Sequence, residues 1–252
     1  MVCFQTENWI IKDIKTVLFD KDGTFIDLHY FWGKMTEMRV NEIITRYNLK
    51  PEYFEVLCNR LGYDVKNKKM LSDGITALYS RSKIIELFLK DLKNYNLDLT
   101  KEDLEQIFDS VSNGFYINLT NYIKPIESAI CFIKKLKNIG VKLGIVTADS
   151  VESTILTLKH LNLENYFDTV IGRESTPETK ESGIPVKLAV ENLNANNNTT
   201  IMIGDAPTDS IAAKNAGINN IILVSSGQVS TQELFNYTDF AVTSLSEIET
   251  LC

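Results

Sequence analysis

The chain has 252 residues, of which 44% are hydrophobic, and it carries a formal charge of −7 at pH 7. This length and apolar content are enough for one large domain or two smaller ones, and they exclude disordered and fibrous classes. The negative charge offers nucleic acid or an anionic membrane no long-range attraction, so a small-molecule partner is favoured. No stretch resembles a signal peptide or reaches the length of a membrane span, so neither is expected.

The cysteines and histidines are few and scattered. No CxxC spacing occurs, which predicts reduced thiols in a cytoplasmic protein. With only two histidines in the chain, a histidine-based zinc site or a Ser-His-Asp triad is disfavoured. The residues concerned are Cys3, Cys58, Cys131, Cys252, His29 and His160.

The first distinctive stretch, VLFDKDGTFID, places two carboxylates at the end of an apolar run. Val17–Phe19 predicts a short buried strand that Gly23 ends with a turn. Residues two apart on an extended chain share a face, so Asp20 and Asp22 are expected to point toward one place while Lys21 points away. Like charges this close repel unless a cation or a shared proton lies between them. The pattern therefore indicates a metal site.

This stretch has two other interpretations. Asp and Gly are common in solvated turns, so the motif alone does not establish a site. A calcium loop of the EF-hand type also begins Asp-x-Asp, but it needs glycine at its sixth position and glutamate at its twelfth. Those positions hold Phe25 and Phe31, which excludes the EF-hand.

After this strand, residues 28–124 predict an insertion that is helical throughout. A βαβ unit needs only about 30 residues, yet the next predicted strand, VKLGIVT, begins at Val141. Helical spacing of apolar residues recurs across the insertion, and Thr100 with Asp103 predicts a helix start. The chain is therefore divided into residues 1–27 and 125–252, which form one α/β domain, and a helical domain over 28–124.

From Pro125 onward, helices and strands alternate. A helix from Pro125 to Gly140 comes before VKLGIVT, and further helices are predicted over residues 150–160, through VKLAVENL and through SIAAKNAG. Alternation of this kind predicts a doubly wound α/β fold with a parallel sheet covered by helices on both faces. The strands predicted after VKLGIVT are TVIG, IMIGD, IILVS and FAVTS.

Ligands of open α/β sheets bind beyond the carboxyl ends of the strands, and polar residues follow three of the predicted strands. The first strand ends at Asp20 and Asp22, the second at Thr147, and the strand IMIGD at Asp205, with Asp209 shortly after. A lysine, Lys180, precedes that last strand. Each residue alone has an ordinary structural explanation, but their occurrence in this order favours one site.

These motifs resemble those of haloacid dehalogenase-superfamily phosphatases with a helical cap, of the phosphoglycolate-phosphatase-like kind. The resemblance rests on VLFDKDGT, LGIVT and GDAPTD, and it spans Val17 to Asp209. Similar proteins usually carry Lys-Pro-x-Pro where this chain has KESG at residues 180–183, with Pro185 displaced.

The resemblance implies a Mg²⁺-dependent phosphatase that acts on a small phosphorylated metabolite. Asp20 would be the nucleophile that forms an aspartyl-phosphate, and Asp22 the acid and base. Mg²⁺ would be held by Asp20, the backbone carbonyl of Asp22 and Asp205, with Asp209 in support. Thr147 and Lys180 would hold the phosphoryl oxygens. The cap would cover the site, and its residues would recognise the leaving group.

Three questions remain open at this level. A sugar-phosphate mutase keeps both acids, and a regulator without catalytic activity could use the same fold to bind a phosphorylated effector.

The aromatic cluster at residues 29–32 either packs the cap helices or recognises the substrate, and packing is favoured. Lys180 precedes the helix through VKLAVENL, whereas Lys187 lies on it beside the apolar face, so Lys180 is the predicted phosphate ligand.

Overall fold

The computed structural model describes residues 2–93, 95, 97 and 99–251. The chain divides into two compact units, one of residues 1–27 with 124–252 and the other of residues 28–123. The strands, in chain order, are β1 (Val2–Gln5), β2 (Ile10–Ile14), β3 (Thr16–Phe19), β4 (Tyr63–Asp64), β5 (Lys69–Met70), β6 (Lys142–Val146), β7 (Thr169–Ile171), β8 (Thr200–Gly204), β9 (Asn220–Val224), β10 (Phe240–Val242) and β11 (Glu249–Leu251).

The helices are numbered separately from the strands. They are α1 (Leu28–Arg46), α2 (Tyr53–Arg60), α3 (Ile75–Leu78), α4 (Arg81–Lys93), α5 (Lys101–Ile117), α6 (Glu127–Asn138), α7 (Val151–His160), α8 (Ile184–Asn192), α9 (Pro207–Asn215) and α10 (Thr231–Leu234). Short 3-10 helices cover Leu119–Tyr122, Lys180–Ser182, Asn197–Thr199 and Leu245–Glu247. None of the helices in the described part of the chain has the length and apolar character that a membrane span requires.

The first unit is built on a six-stranded sheet in the order β10-β9-β8-β3-β6-β7, and all its neighbouring strands are parallel. Strand β3 lies in the middle, with Phe19 opposite Ile145 on one side and Ile203 on the other. Helices α7, α8 and α9 connect successive strands from β6 to β9. The predicted doubly wound α/β fold is confirmed. Because the strand order reverses at β3, the carboxyl end of β3 is where such folds bind ligands.

Burial of apolar side chains explains why these segments form strands and helices. All four residues of β3 and all five of β8 are buried, as expected for central strands of a parallel sheet. One apolar cluster joins Leu18 and Met202 of the sheet to Val186 and Ala189 of α8 and to Ala212 of α9. These contacts hold the segments before and after β8 against the sheet, which fixes the loops at its carboxyl edge.

Two features of this unit differ from the sequence prediction. Strands β11, β1 and β2 form a separate antiparallel sheet, which had not been predicted. Helix α6 begins at Glu127 instead of Pro125. The reason is that Pro125 forms a β-bridge with Ile26, and the backbone N–H of Ile126 donates to the carbonyl of Phe25 at 2.9 Å. These residues are therefore extended and cannot belong to the helix.

The second unit contains helices α1 to α5 and one short β-hairpin. The predicted helix start at Thr100 is confirmed, since its hydroxyl accepts a hydrogen bond from the backbone N–H of Asp103 at 3.1 Å and the Asp103 carboxylate accepts one in return. The prediction of helix throughout is wrong at the hairpin of β4 and β5. Its second strand is held by His29, whose Nδ1 accepts from the backbone N–H of Met70 at 3.1 Å.

The aromatic cluster at residues 29–32 contributes to packing within this second unit. Phe31 is fully buried and meets the ring of Phe115 edge to face, with 5.0 Å between ring centroids. Trp32 is half-buried and contacts Phe31 in the same way. These contacts favour the packing interpretation for Phe31, and His29 serves the hairpin.

Candidate active site

Asp20 is the first residue after β3, at the carboxyl edge of the sheet. Its backbone N–H donates to the carbonyl of Ile203 at 2.8 Å, so the pairing with β8 continues one residue beyond the strand. The side chain is buried, and its Oδ1 lies 2.5 Å from Nζ of Lys180. Asp20 is thus fixed by its backbone on one side and by a lysine on the other.

Asp209 closes the loop that follows β8. Its Oδ2 accepts hydrogen bonds from the backbone N–H groups of Asp205 at 3.1 Å and Ala206 at 3.0 Å, and its Oδ1 lies 2.6 Å from Nζ of Lys180. A Cβ on Gly204 would come within 2.2 Å of that carboxylate. Glycine at 204 is therefore needed for Asp209 to reach back over the end of the strand.

Asp205 is oriented by contacts from the loop after β3 and from the loop after β9. The hydroxyl of Thr24 donates to its Oδ1 at 3.4 Å. Gly227, in the loop after β9, packs so tightly that a Cβ there would lie 1.8 Å from Oδ2 of Asp205. The neighbouring Ser226 donates its hydroxyl to the carbonyl of Gly23 at 2.6 Å, which ties the loop after β9 to the loop after β3.

Lys180 lies in the 3-10 helix Lys180–Ser182, ahead of α8. Gly183, at φ 79°, allows this turn to pack on α9, since a Cβ there would approach the backbone of Asn215 to 2.6 Å. The structure brings Lys180 to the acids, whereas Lys187 is exposed on α8. Burial acts to lower the pKa of Lys180, but Asp20 and Asp209 outweigh it and raise that pKa above its ordinary value.

Three carboxylates converge at this edge of the sheet. Oxygens of Asp20, Asp205 and Asp209 all lie within 4.8 Å of one another, and the three side chains are buried. Burial, followed by repulsion from the neighbouring acids, raises the pKa of Asp205 well above its usual range. For Asp20, burial and its acidic neighbours outweigh Lys180 and raise the pKa to about 7. A divalent cation such as Mg²⁺ prefers hard oxygen ligands, and it would offset the repulsion among these buried carboxylates. The cluster therefore fits such a cation.

Asp22 lies on the other side of the same loop, and there the expectation that Lys21 points away is wrong. Nζ of Lys21 lies 2.9 Å from Oδ1 of Asp22 and 2.8 Å from Oδ2 of Asp149, and the lysine is fully buried. Burial raises the pKa of Asp22 above its usual value, although Lys21 opposes the shift. The pKa of Asp149 is lowered, because Lys21 and Ser153 outweigh its burial.

Thr147 directly follows β6, the strand beside β3, and it is buried. Its hydroxyl accepts a hydrogen bond from the backbone N–H of Asp149 at 3.1 Å. Of the predicted site residues, the structure thus brings Asp20, Lys180, Asp205 and Asp209 together. Among the residues that the structure describes, the side-chain hydrogen bonds and ion pairs of Asp22 and Thr147 lead to Lys21 and Asp149 instead.

Four contributors to the site were missed by sequence reasoning: Lys21, Thr24, Asp149 and Gly227. Thr24 belongs to the motif VLFDKDGT and Asp149 lies two residues after Thr147, so proximity to a known motif could have suggested both. Gly227 gives no such signal, because its role depends only on the close approach of two loops.

The fold and site define a doubly wound α/β protein with a carboxylate cluster, suited to a metal ion, at the carboxyl edge of its parallel sheet. Residues 14–217 match the family model of the haloacid dehalogenase-like hydrolases, and the chain belongs to this family. It is 26% identical over 244 residues to a phosphoglycolate phosphatase of Neisseria meningitidis, covering 96% of this chain and 94% of the relative. It is 27% identical over 211 residues to the pyrophosphatase PpaX of Halalkalibacterium halodurans, covering 84% of each.

A solved structure supports the fold. The crystal structure of a haloacid dehalogenase-superfamily hydrolase of subfamily IA from Geobacter sulfurreducens superposes with a TM-score of 0.66 at 18% identity, covering 93% of this chain and 94% of that one. At this level of identity the likeness concerns the fold alone.

Proposed function

We propose that this protein is a Mg²⁺-dependent phosphatase that hydrolyses a small phosphorylated metabolite through an aspartyl-phosphate on Asp20. The observation that carries the proposal is the buried meeting of Asp20, Asp205 and Asp209 with Lys180 at the carboxyl edge of the sheet. Phosphoryl transfer asks a protein mainly to position the reactants and to neutralise charge on the transferring oxygens. The fixed carboxylates supply the nucleophile and would hold a metal ion, and the ammonium of Lys180 supplies positive charge for those oxygens.

In the first step, a carboxylate oxygen of Asp20 attacks phosphorus as the bond to the leaving oxygen breaks. Asp22 gives its proton to that oxygen, so the product leaves as a neutral alcohol. The raised pKa of Asp22, which burial produces, favours the protonated form that this step requires. Lys180 and Thr147 hold the phosphoryl oxygens.

In the second step, Asp22 accepts a proton from water as that water attacks the phosphorus of the aspartyl-phosphate. The bond to Asp20 breaks, inorganic phosphate leaves, and both aspartates return to their starting states. Splitting the hydrolysis into two displacements lets one pair of neighbouring acids serve both halves of the reaction.

Mg²⁺ would be held by Asp20, Asp205 and the backbone carbonyl of Asp22, with Asp209 in support. When bound, the ion neutralises charge on the phosphoryl group and among the carboxylates. Asp209 also keeps Lys180 in place and closes the loop after β8. In this proposal, residues 1–27 and 125–252 form the catalytic core and residues 28–124 the cap, and the division of the chain at residues 27–28 and 123–124 supports that assignment.

The names of the relatives support small substrates. One is named a phosphoglycolate phosphatase and the other a pyrophosphatase. We therefore propose phosphomonoesters of small metabolites as substrates, with pyrophosphate as the second candidate. The three cysteines in the described part of the chain are free thiols, which supports a cytoplasmic location.

The proposal is tested by measuring phosphate release from phosphoglycolate, several sugar phosphates, pyrophosphate and a phosphopeptide, with Mg²⁺ and with excess chelator. We expect Mg²⁺-dependent release from at least one small substrate and much slower release from the peptide. Asp20→Asn should abolish the activity, because an amide neither attacks phosphorus nor neutralises the metal. Full turnover in excess chelator would contradict the proposal.

Two results would indicate the alternatives. Interconversion of sugar phosphates without net phosphate release would indicate a mutase. Saturable binding of phosphorylated ligands without turnover of any of them would indicate a regulator.

A further inference from the structure

We propose that Lys21 is a positioning residue, which holds the carboxylate of Asp22 in the place that its proton transfer requires, and that Asp149 in turn holds Lys21. This inference rests on the proposed phosphatase function. It assigns a role to a buried lysine and to an aspartate that the mechanism above does not use.

The ammonium of Lys21 lies between two carboxylates. Its side chain is buried, and Nζ lies 2.9 Å from one oxygen of Asp22 and 2.8 Å from one oxygen of Asp149. The contact with Asp22 involves Oδ1. An ammonium with carboxylates on two sides restricts the rotation of both, and that restriction is what a proton-transferring group needs.

Asp149 is itself firmly held at the start of α7. Its Oδ1 accepts from the backbone N–H of Ser150 at 2.7 Å, and its Oδ2 accepts from the hydroxyl of Ser153 at 2.7 Å. Its own backbone N–H donates to the hydroxyl of Thr147 at 3.1 Å. The position of Asp22 is thus tied through Lys21 to the residues that follow β6, which include the proposed phosphate ligand Thr147.

Stability alone does not account for this arrangement. Taking an ammonium and two carboxylates out of water is costly, and replacing such buried groups by apolar side chains of similar size is often neutral or stabilising. Apolar side chains in place of Lys21, Asp22 and Asp149 together would fill the same space without that cost. A buried charged group beside a proposed acid is therefore better explained by orientation of that acid.

The test exploits the fact that only a poor leaving group needs a proton. An alkyl phosphate must be protonated as it leaves, whereas a nitrophenyl phosphate leaves as a stable anion. Because kcat/KM includes steps only up to departure of the leaving group, the ratio of kcat/KM for the two substrates measures the contribution of Asp22 as the acid. Loss of the fold, of the metal site or of phosphate binding lowers both values together.

We expect Lys21→Met to lower kcat/KM for the alkyl phosphate about 10²-fold, the scale of general acid catalysis, and to lower the value for the aryl phosphate less than about threefold. Asp22→Asn should give the same selective pattern. Adding Lys21→Met to Asp22→Asn should cause little further loss, because both changes act on one group. The exposed Lys187 provides the matched control, and Lys187→Met should leave both values unchanged.

Asp149→Asn provides a second variant in case Lys21→Met folds poorly. The asparagine can accept from the backbone N–H of Ser150 through its oxygen and donate to the hydroxyl of Ser153 through its nitrogen, while the negative charge beside Lys21 is lost. We expect a weaker but still selective loss with the alkyl substrate. An equal loss on both substrates for both variants, or no loss on either, would overturn the positioning role. Absence of Mg²⁺-dependent activity in the unaltered protein on either substrate would instead contradict the proposed function and this inference with it.

Discussion

Two lysines with buried side chains contact the acids of the loop after β3, and they differ in which acids they hold. Lys180 lies between Asp20 and Asp209, two members of the carboxylate cluster. Lys21 lies between Asp22 and Asp149, and Asp149 is anchored in the first turn of α7. In the proposed mechanism, Lys180 therefore belongs to the group that neutralises charge on the phosphate, and Lys21 supports the proposed acid.

Burial and ion pairing do not distinguish the roles of the two lysines. Both have raised pKa values because adjacent carboxylates outweigh their burial. Their neighbours distinguish them: Lys180 contacts the proposed nucleophile, whereas Lys21 contacts the proposed proton donor. Replacing Lys180 and replacing Lys21 should therefore impair catalysis in different ways.

The largest expected effect concerns Lys180. Lys180→Ala should lower kcat/KM by about 10²-fold or more on alkyl and aryl phosphates alike, because a cation that contacts the transferring phosphoryl acts whatever the leaving group. Lys187→Ala, on the exposed face of α8, should change kcat/KM less than about twofold. Steady-state kinetics of both variants on both substrates decide this. A severe loss from Lys187→Ala with near-normal activity of Lys180→Ala would reverse the assignment.

A smaller effect is expected when Gly227 is replaced. This variant tests the metal site independently of the two lysines. In Gly227→Ala the new methyl group would meet Oδ2 of Asp205, so that carboxylate must move. Apparent Mg²⁺ affinity should fall about tenfold or more, the scale for groups that support metal ligands, and saturating Mg²⁺ should restore most of the activity.

The control for this prediction is Gly114→Ala. A Cβ at Gly114, on α5, would meet nothing within 4 Å, so Mg²⁺ affinity should not change. Magnesium titrations of activity and calorimetry measure the affinity in both variants. Unchanged Mg²⁺ affinity in Gly227→Ala would show that Asp205 is not held as described.

The smallest effect is a pH dependence of stability without metal. The pKa of Asp20 is raised to about 7, whereas an unfolded aspartate titrates near about 4. Between these values the native state binds a proton that the unfolded state has lost, so the free energy of unfolding falls as pH rises through this window. From pH 4 to 7, thermal melts in chelator should show that the unaltered protein loses more stability, or gains less, than Asp20→Asn does. The same pH dependence of stability in both forms would contradict this contribution.

The sequence allowed much of the sheet to be predicted, because central parallel strands are short apolar runs separated by amphipathic helices. The sheet of β11, β1 and β2 could not be found in the same way, since it joins opposite ends of the chain and β11 has only three residues. The hairpin of β4 and β5 was missed because each strand has two residues, too few to show alternation.

At the site, residues carried by motifs were predictable, and residues that act through tertiary contacts were not. Asp20, Asp205 and Asp209 follow strand ends, which parallel topology brings to one edge. Period-two reasoning placed Lys21 away from the acids, because it treats the chain as extended. The strand ends at Phe19, and beyond it the turn brings the lysine ammonium against Asp22. No local pattern reveals such a contact.

The most direct test of the proposed mechanism is to locate the phosphoryl group during turnover. The unaltered protein, mixed with Mg²⁺ and substrate and quenched in acid within milliseconds, would be digested and its peptides analysed by mass spectrometry. The proposed mechanism predicts a phosphorylated aspartate at position 20, and no covalent phosphate in Asp20→Asn. Phosphate attached to another residue, or rapid turnover with no covalent phosphate at any quench time, would contradict it.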